Sequence, residues 1–143
     1  MIGEVALESL KLTDAGKLVV TFGASHKKDI RISEEKLDSY IFLLNSDGVL
    51  PFSYSFRFEP LPYSQMLRDD AYNLVQAGYL GKASPLWITQ SGLTWMQEWL
   101  SAQESGETLL SALGNALENY AKYDERALFK TVYARLASFK VKA

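Results

Sequence analysis

The stretch FRFEPLPYSQMLRDDAYNLVQAGYL, residues 56–80, contains the change of backbone conformation that decides the fold. It begins with alternating apolar and polar residues, passes Pro60 and Pro62, and then takes up helical spacing until Gly78. Proline biases the residue before it away from the helical region, and a glycine after a periodic apolar run is typical of a helix end. The stretch therefore predicts an extended segment, a turn, and a helix from about Tyr63 that Gly78 caps.

The residues on either side of the turn show two different periods. The segment before it alternates strictly and indicates a strand or an extended aromatic ribbon, whose one side carries Phe52, Tyr54, Phe56 and Phe58. The helix after it has a predicted apolar face made of Tyr63, Met66, Leu67, Ala71, Leu74 and Val75.

Neighbouring segments extend this pattern in both directions. Ser33 is a good N-cap for a helix that ends near residues 45–48, NSDG. Residues 79–80 and 86–88 can pair as a small hairpin with GKASP at its tip, and Thr89 can cap a further helix. The order helix, extended link, helix, hairpin, helix is that of a winged helix.

The two ends of the chain are predicted to differ. Residues 4–12 and 17–23 flank TDAGK and read as two antiparallel strands, with a third short strand in DIRIS. From Glu107 onward, two helices with apolar stripes meet near KYDER. We therefore expect one α+β domain over residues 1–143: a β-hairpin extension at 1–32, a winged helix-turn-helix core at 33–103, and a C-terminal α-helical hairpin at 104–143.

Composition limits the classes of protein that need to be considered. The 143 residues suit a single domain, and the mean hydropathy of −0.08 comes without an apolar run long enough to span a membrane. The chain has no cysteine and no signal-peptide pattern at its start. These features lead us to expect a cytoplasmic protein that does not act at a membrane.

The net charge of −2 is divided unevenly along the chain. Residues 1–119 hold nine basic and fifteen acidic residues, whereas residues 120–143 hold six basic and two acidic residues. This division indicates either docking of a basic tail on an acidic body or an acidic partner such as nucleic acid. The apolar faces of the C-terminal helices must pack on the body, on a second copy, or on both, so a homodimer is also expected.

Short motifs in residues 37–96 resemble a prokaryotic winged-helix group that includes the YwgA-like family and the Panacea or SocA-like antitoxin domain. The matching pieces are Leu43 and Leu44; Phe56 and Phe58; Pro62, Tyr63 and Ser64; Leu74 and Gly78; and Ile88, Thr89 and Gly92. The chain departs from the group at Leu61, where a glycine is usual, and at Ile88, where a leucine is usual. The resemblance implies a winged-helix fold and, from some members, antitoxin or adaptor roles through protein contacts.

A DNA-reading helix needs base-directed polar side chains and basic flanks for phosphate. The helix after the turn offers Gln65 and Arg68, and the hairpin tip offers Lys82, but Asp69 and Asp70 lie midway along the same helix. Two carboxylates there would repel phosphate, which favours a partner-binding surface over a DNA reader. Nucleic-acid binding remains an alternative because Arg126, Lys130 and Lys140 form a basic arc on the last helix. Such side chains often only flank a buried apolar stripe.

The sequence offers little for catalysis or for a cofactor. His26 is the one histidine, and neither a nucleophile motif nor a glycine-rich phosphate loop accompanies it. We therefore predict a non-enzymatic regulatory or adaptor protein without metal or cofactor. Its protein-binding residues are predicted to be Arg68, Asp69, Tyr72 and Trp87. The alternative is a DNA-binding transcriptional regulator.

Overall fold

Six α-helices and two small antiparallel hairpins make up the part of the chain that the structure, a computed structural model, describes: residues 13–82, 85–102 and 105–142. The helices are α1 (Asp14–Lys27), α2 (Glu34–Ser46), α3 (Gln65–Gln76), α4 (Gln90–Ser101), α5 (Gly106–Ala121) and α6 (Glu125–Lys142). The strands are β1 (Arg57–Phe58), β2 (Pro62–Tyr63), β3 (Leu80–Gly81) and β4 (Trp87–Ile88). The fold is mostly helical and belongs to the α+β class. None of the described helices is both long and apolar enough to cross a membrane.

Helix α1 replaces the predicted strand at residues 17–23. Thr13, which we assigned to a turn, is the N-cap, and its hydroxyl accepts a hydrogen bond from the Gly16 amide at 3.1 Å. Asp14 occupies the first turn, where the helix dipole favours an acid. Residues 16–25 are all buried, including the polar side chains of Lys17, Thr21 and Ser25, so this stretch lacks the exposed polar face by which an amphipathic helix is usually recognised. The predicted strand at residues 4–12 lies outside the described residues.

Helix α1 is not an extension of the body. Helix α1 packs on α3, α4, α5 and β4, so it lies at the centre of the fold, and the predicted boundary at residue 33 separates elements that pack together. The predicted third strand in DIRIS is reduced to one antiparallel bridge between Ile32 and Leu86, which joins the segment before α2 to the β4 side of the second hairpin.

The link between α2 and α3 is the predicted aromatic ribbon. Burial alternates from Phe52 to Glu59, but only Arg57–Phe58 forms a strand, which pairs with Pro62–Tyr63. Ser64 then caps α3, accepting a hydrogen bond from the Leu67 amide at 3.3 Å, so the helix begins two residues later than predicted. Met66 is 62% exposed and does not belong to the buried face, because that face is centred on Leu67, Ala71 and Leu74.

The second hairpin connects α3 to α4 as predicted. Gly78 has a positive φ of 87°, and the Tyr79 amide donates to the Leu74 carbonyl at 3.0 Å, which closes the end of α3. Leu80 pairs with Ile88 and Gly81 with Trp87. Thr89 caps α4 by accepting from the Gly92 amide at 3.1 Å.

The two C-terminal helices form as predicted, and each packs on the body: α5 mainly on α1, and α6 mainly on α2. Asp47, just after α2, ties both helices to the body. It accepts a hydrogen bond from the Tyr120 hydroxyl at 2.8 Å and from Arg135 Nε at 2.5 Å. Burial and the Asp47 carboxylate raise the pKa of Tyr120, so this hydroxyl stays a donor. Phe129, one of the apolar residues of α6, is 40% exposed.

Candidate functional site

A groove with a volume of about 360 Å³ lies between α3, the first turns of α2 and the β3–β4 hairpin, and we call it the α3 groove. The fold brings its walls together from distant parts of the sequence, because the Ile32–Leu86 bridge holds the hairpin beside α2. Its lining consists of Glu34, Leu37, Arg68, Ala71, Tyr72, Val75, Gln76, Lys82 and Leu86.

The α3 groove combines an apolar interior with few polar groups. Leu37, Ala71, Val75 and Leu86 supply apolar surface, and Tyr72 stands beside them with 62% of its surface exposed. The opposite face of α3 is buried, so Tyr72 projects from a helix whose position is fixed by the core. A concave, mostly apolar surface with a few placed polar groups is suited to receiving another molecule.

One end of the groove is held by a buried ion pair between α2 and α3. Asp38 is 1% exposed and accepts hydrogen bonds from Arg68 Nε at 3.0 Å and from its Nη2 at 2.8 Å. The Ser64 amide donates to the same carboxylate at 3.4 Å. Burial raises the pKa of Asp38, and Arg68 opposes this effect. Arg68 is therefore a fixed part of the groove wall and is not available to reach far into a partner.

The two carboxylates on α3 have different surroundings. Asp69 is exposed and accepts a hydrogen bond from the Gln65 amide at 2.9 Å. Asp70 is half-buried and accepts one from the Tyr54 hydroxyl at 2.6 Å, and this contact together with burial raises the pKa of Tyr54. We expected both carboxylates to repel a polyanion from this helix. Of the two carboxylates, only Asp69 is exposed on this helix.

The predicted protein-binding residues do not line a common cavity. Arg68 and Tyr72 line the α3 groove, together with Lys82 from the hairpin, and Asp69 lies on α3 outside the groove lining. Trp87 is 52% exposed but lines a second cavity, next to the end of α1. The predicted patch is therefore divided between two surfaces.

Three of the four remaining candidates for nucleic-acid contact lie outside the lining of the groove. Gln65 is exposed in the first turn of α3 and accepts a hydrogen bond from the Tyr63 hydroxyl at 2.5 Å. Arg126 and Lys130 are exposed on α6, and Lys140 lies on the same helix, beyond the side chains that the structure describes. Gln65, Arg126 and Lys130 do not line the α3 groove.

Sequence reasoning missed Asp38, Glu34 and Leu86. Asp38 follows Leu37 within the buried arc of α2, and an acid in that position was a signal that a basic partner should be sought. Glu34 and Leu86 carried no such signal, since only the tertiary fold brings them beside α3.

Among the residues that the structure describes, no cluster of three or more His, Cys, Asp or Glu side chains could hold a metal ion. Comparison of the chain with protein-family models, curated proteins and solved structures finds no match.

Proposed function

We propose that the chain is a regulatory or adaptor protein of the winged-helix class that binds another protein through the α3 groove. The element order α1, Ile32 bridge, α2, α3 and β3–β4 hairpin supports the winged-helix assignment. The resemblance to YwgA-like and SocA-like proteins is compatible with it, because Ser64 and Thr89 in the shared motifs both act as helix caps.

One observation carries the proposal: Tyr72 is a large, well-exposed aromatic residue beside an apolar groove, on a helix fixed by the core. Tyrosine is enriched among the residues that dominate binding energy at protein interfaces. Lys82 and Glu34 add one charge of each sign to the lining. The partner segment that fits best inserts an apolar side chain between Tyr72 and Leu86 and places an acidic group near Lys82.

Replacing Tyr72 by alanine is expected to weaken binding of the partner at least tenfold, which corresponds to about 1.4 kcal/mol. The partner would be recovered by affinity purification from the native host, and its affinity for purified variants would be measured by calorimetry. Met66→Ala is the matched control, because Met66 lies on the same helix, is equally exposed at 62%, and does not line the groove. Equal losses for both variants, or a loss for neither, would contradict the proposal.

DNA binding is the second candidate function. The sequence led us to expect two exposed carboxylates on α3, and the half-buried position of Asp70 leaves less negative charge there to repel DNA. Arg68 weakens this second candidate, since its guanidinium is engaged by Asp38 rather than presented to bases. Few exposed cations lie near α3, and phosphate neutralisation dominates affinity for nucleic acid.

Fluorescence anisotropy with a random duplex at low salt separates the two functions. We expect no saturable binding. Salt-sensitive binding that is lost in an Arg126→Glu, Lys130→Glu variant, and kept in the Arg57→Glu control, would favour the DNA regulator.

We also propose that the chain forms a homodimer through the C-terminal helices around the exposed Phe129. Sedimentation of the same samples would show whether this dimer forms.

A further inference from the structure

A second cavity, with a volume of about 430 Å³, lies between the end of α1, the segment that follows it, and β4. Its apolar lining comes from Phe22, Ile30, Pro85, Leu86, Trp87 and Ile88. The volume falls within the range of about 300–1,000 Å³ that is usual for small-molecule sites. The protein-binding proposal makes no use of this cavity, which shares only Leu86 with the α3 groove.

The aromatic wall of the cavity is fixed in place. A Cβ atom added to Gly81 would lie 1.9 Å from Cε2 of Trp87, so the indole packs directly against the Gly81 backbone across the hairpin. Trp87 as a residue nevertheless remains 52% exposed. A held but accessible indole offers a flat apolar surface at low entropic cost to a ligand that packs on it.

Two opposite charges, Asp29 and Arg31, stand at the same cavity. Asp29 has a positive φ of 54°, and its amide donates to the His26 carbonyl at 3.1 Å while the Ile30 amide donates to the Ser25 carbonyl at 2.8 Å. These bonds fix the backbone that carries both charges. Within the described part of the chain, neither side chain takes part in an ion pair within 4.0 Å.

The pairing of charges restricts the ligand. An anion without a cationic group would meet Asp29, and a cation without an anionic group would meet Arg31. A polyanion would find Arg31 as the one arginine or lysine in the described lining, which is too few contacts for backbone recognition of nucleic acid. A molecule with one charge of each sign and an apolar side group matches both the rim and the interior.

We propose that this cavity binds a free amino acid with an apolar side chain. Arg31 pairs with its carboxylate, Asp29 pairs with its ammonium group, and the side chain packs between Trp87 and Ile88. The site is thus an effector site in a protein whose partner surface lies elsewhere, and it would exist whether or not the α3 groove binds a protein.

The test uses L-phenylalanine as the probe and the indole N–H signal of Trp87 as the reporter in ¹H–¹⁵N NMR spectra of the intact chain. The signal is assigned by its loss in Trp87→Phe. We expect a saturable shift at millimolar phenylalanine or below. Glycine, phenylalaninamide and N-acetylphenylalanine, which lack the side chain, the carboxylate and the ammonium group respectively, should each bind at least tenfold more weakly.

Two variants test which charged group of the ligand pairs with Arg31 and which pairs with Asp29. Arg31→Gln should abolish the preference for phenylalanine over its amide, and Asp29→Asn should abolish the preference over the N-acetyl compound; asparagine tolerates the positive φ at that position. Lys27→Gln, a neighbouring exposed cation outside the lining, is the control and should change neither preference. Absence of a saturable shift, equal binding of the three analogues, or preferences that survive both variants would overturn the proposal.

Discussion

Replacing Gly92 by alanine is expected to destabilise the protein by about 2–3 kcal/mol, the upper part of the range of about 1–3 kcal/mol for inserting an atom into a packed site. A Cβ atom at Gly92 would lie 2.4 Å from the Tyr79 carbonyl oxygen and 2.7 Å from Cγ1 of Ile88. The Tyr79 oxygen belongs to the backbone between α3 and β3 and already accepts a hydrogen bond from the Thr89 amide at 3.1 Å. It cannot move away without separating α4 from the hairpin.

The sign of this effect makes the experiment decisive. An ordinary glycine within a helix gains about 1 kcal/mol when it is changed to alanine, because alanine has the higher helix propensity. Urea denaturation of Gly92→Ala would therefore show either a loss or a gain of stability. Ser91→Ala, at the exposed neighbouring position, is the control and should change stability by less than about 0.5 kcal/mol. A gain for Gly92→Ala would contradict the described packing.

Replacing Arg68 by methionine is expected to cost about 3 kcal/mol at neutral pH, because it leaves Asp38 as a buried carboxylate without its cation. We use the lower end of the range for broken buried pairs, since the Arg68 side chain is 34% exposed and solvent screens part of the interaction. Arg57→Met is a matched control, because the guanidinium groups of Arg57 and Arg68 both lie over the Tyr63 ring, at 5.3 and 5.4 Å from its centroid. The side chain of Arg57, however, is 68% exposed. That variant should lose less than about 0.5 kcal/mol.

The cost of Arg68→Met should depend on pH. Burial already raises the pKa of Asp38 above its ordinary value, and loss of Arg68 removes the interaction that opposes burial. The folded variant then binds the Asp38 proton more tightly than the unfolded chain does. The contribution of the protonated Asp38 to the stability of the variant is therefore fully present below the unfolded pKa of about 3.9. This contribution is lost as pH rises through the raised pKa of Asp38 in the folded variant.

Urea denaturation of Arg68→Met between pH 4 and 7 measures this dependence relative to the wild-type protein. The difference between the two proteins should widen as pH rises, and adding Asp38→Asn should remove that widening, because the amide does not titrate. A difference that stays constant with pH, or persists unchanged in the double variant, would mean that Asp38 is not the titrating group.

The sequence predicted the helices α2 and α4 from their N-cap residues and failed for the buried helix α1. Ser33 and Thr89 were predicted as the N-caps of α2 and α4, because a capping residue can be recognised in a short stretch of sequence. Ser64, the cap of α3, was not predicted, and that helix was expected to begin at about Tyr63. Helix α1 was mistaken for a strand because Val19 and Val20 favour strands on propensity alone. Its polar residues Lys17, Thr21 and Ser25 do recur at helical spacing, but they are buried and form no exposed polar face.

The candidate site was only half predictable for a related reason. Tyr72 and Arg68 could be assigned to the candidate site from one helix alone, since their positions relative to its buried face follow from their spacing along the sequence. The separation of Trp87 from Tyr72 could not be assigned in this way. It depends on where the hairpin lies against α1 and α2, and those contacts join residues far apart in the chain.

Site-specific photo-crosslinking tests the central claim, that the α3 groove binds a protein, most directly. A photoreactive phenylalanine analogue at position 72 should give one discrete, nuclease-resistant protein adduct in the native host. Leu86→Asp, on the opposite wall of the groove, should abolish that adduct, and Lys130→Glu on α6 should leave it unchanged. A missing adduct, a nuclease-sensitive one, or one indifferent to Leu86→Asp would contradict the account.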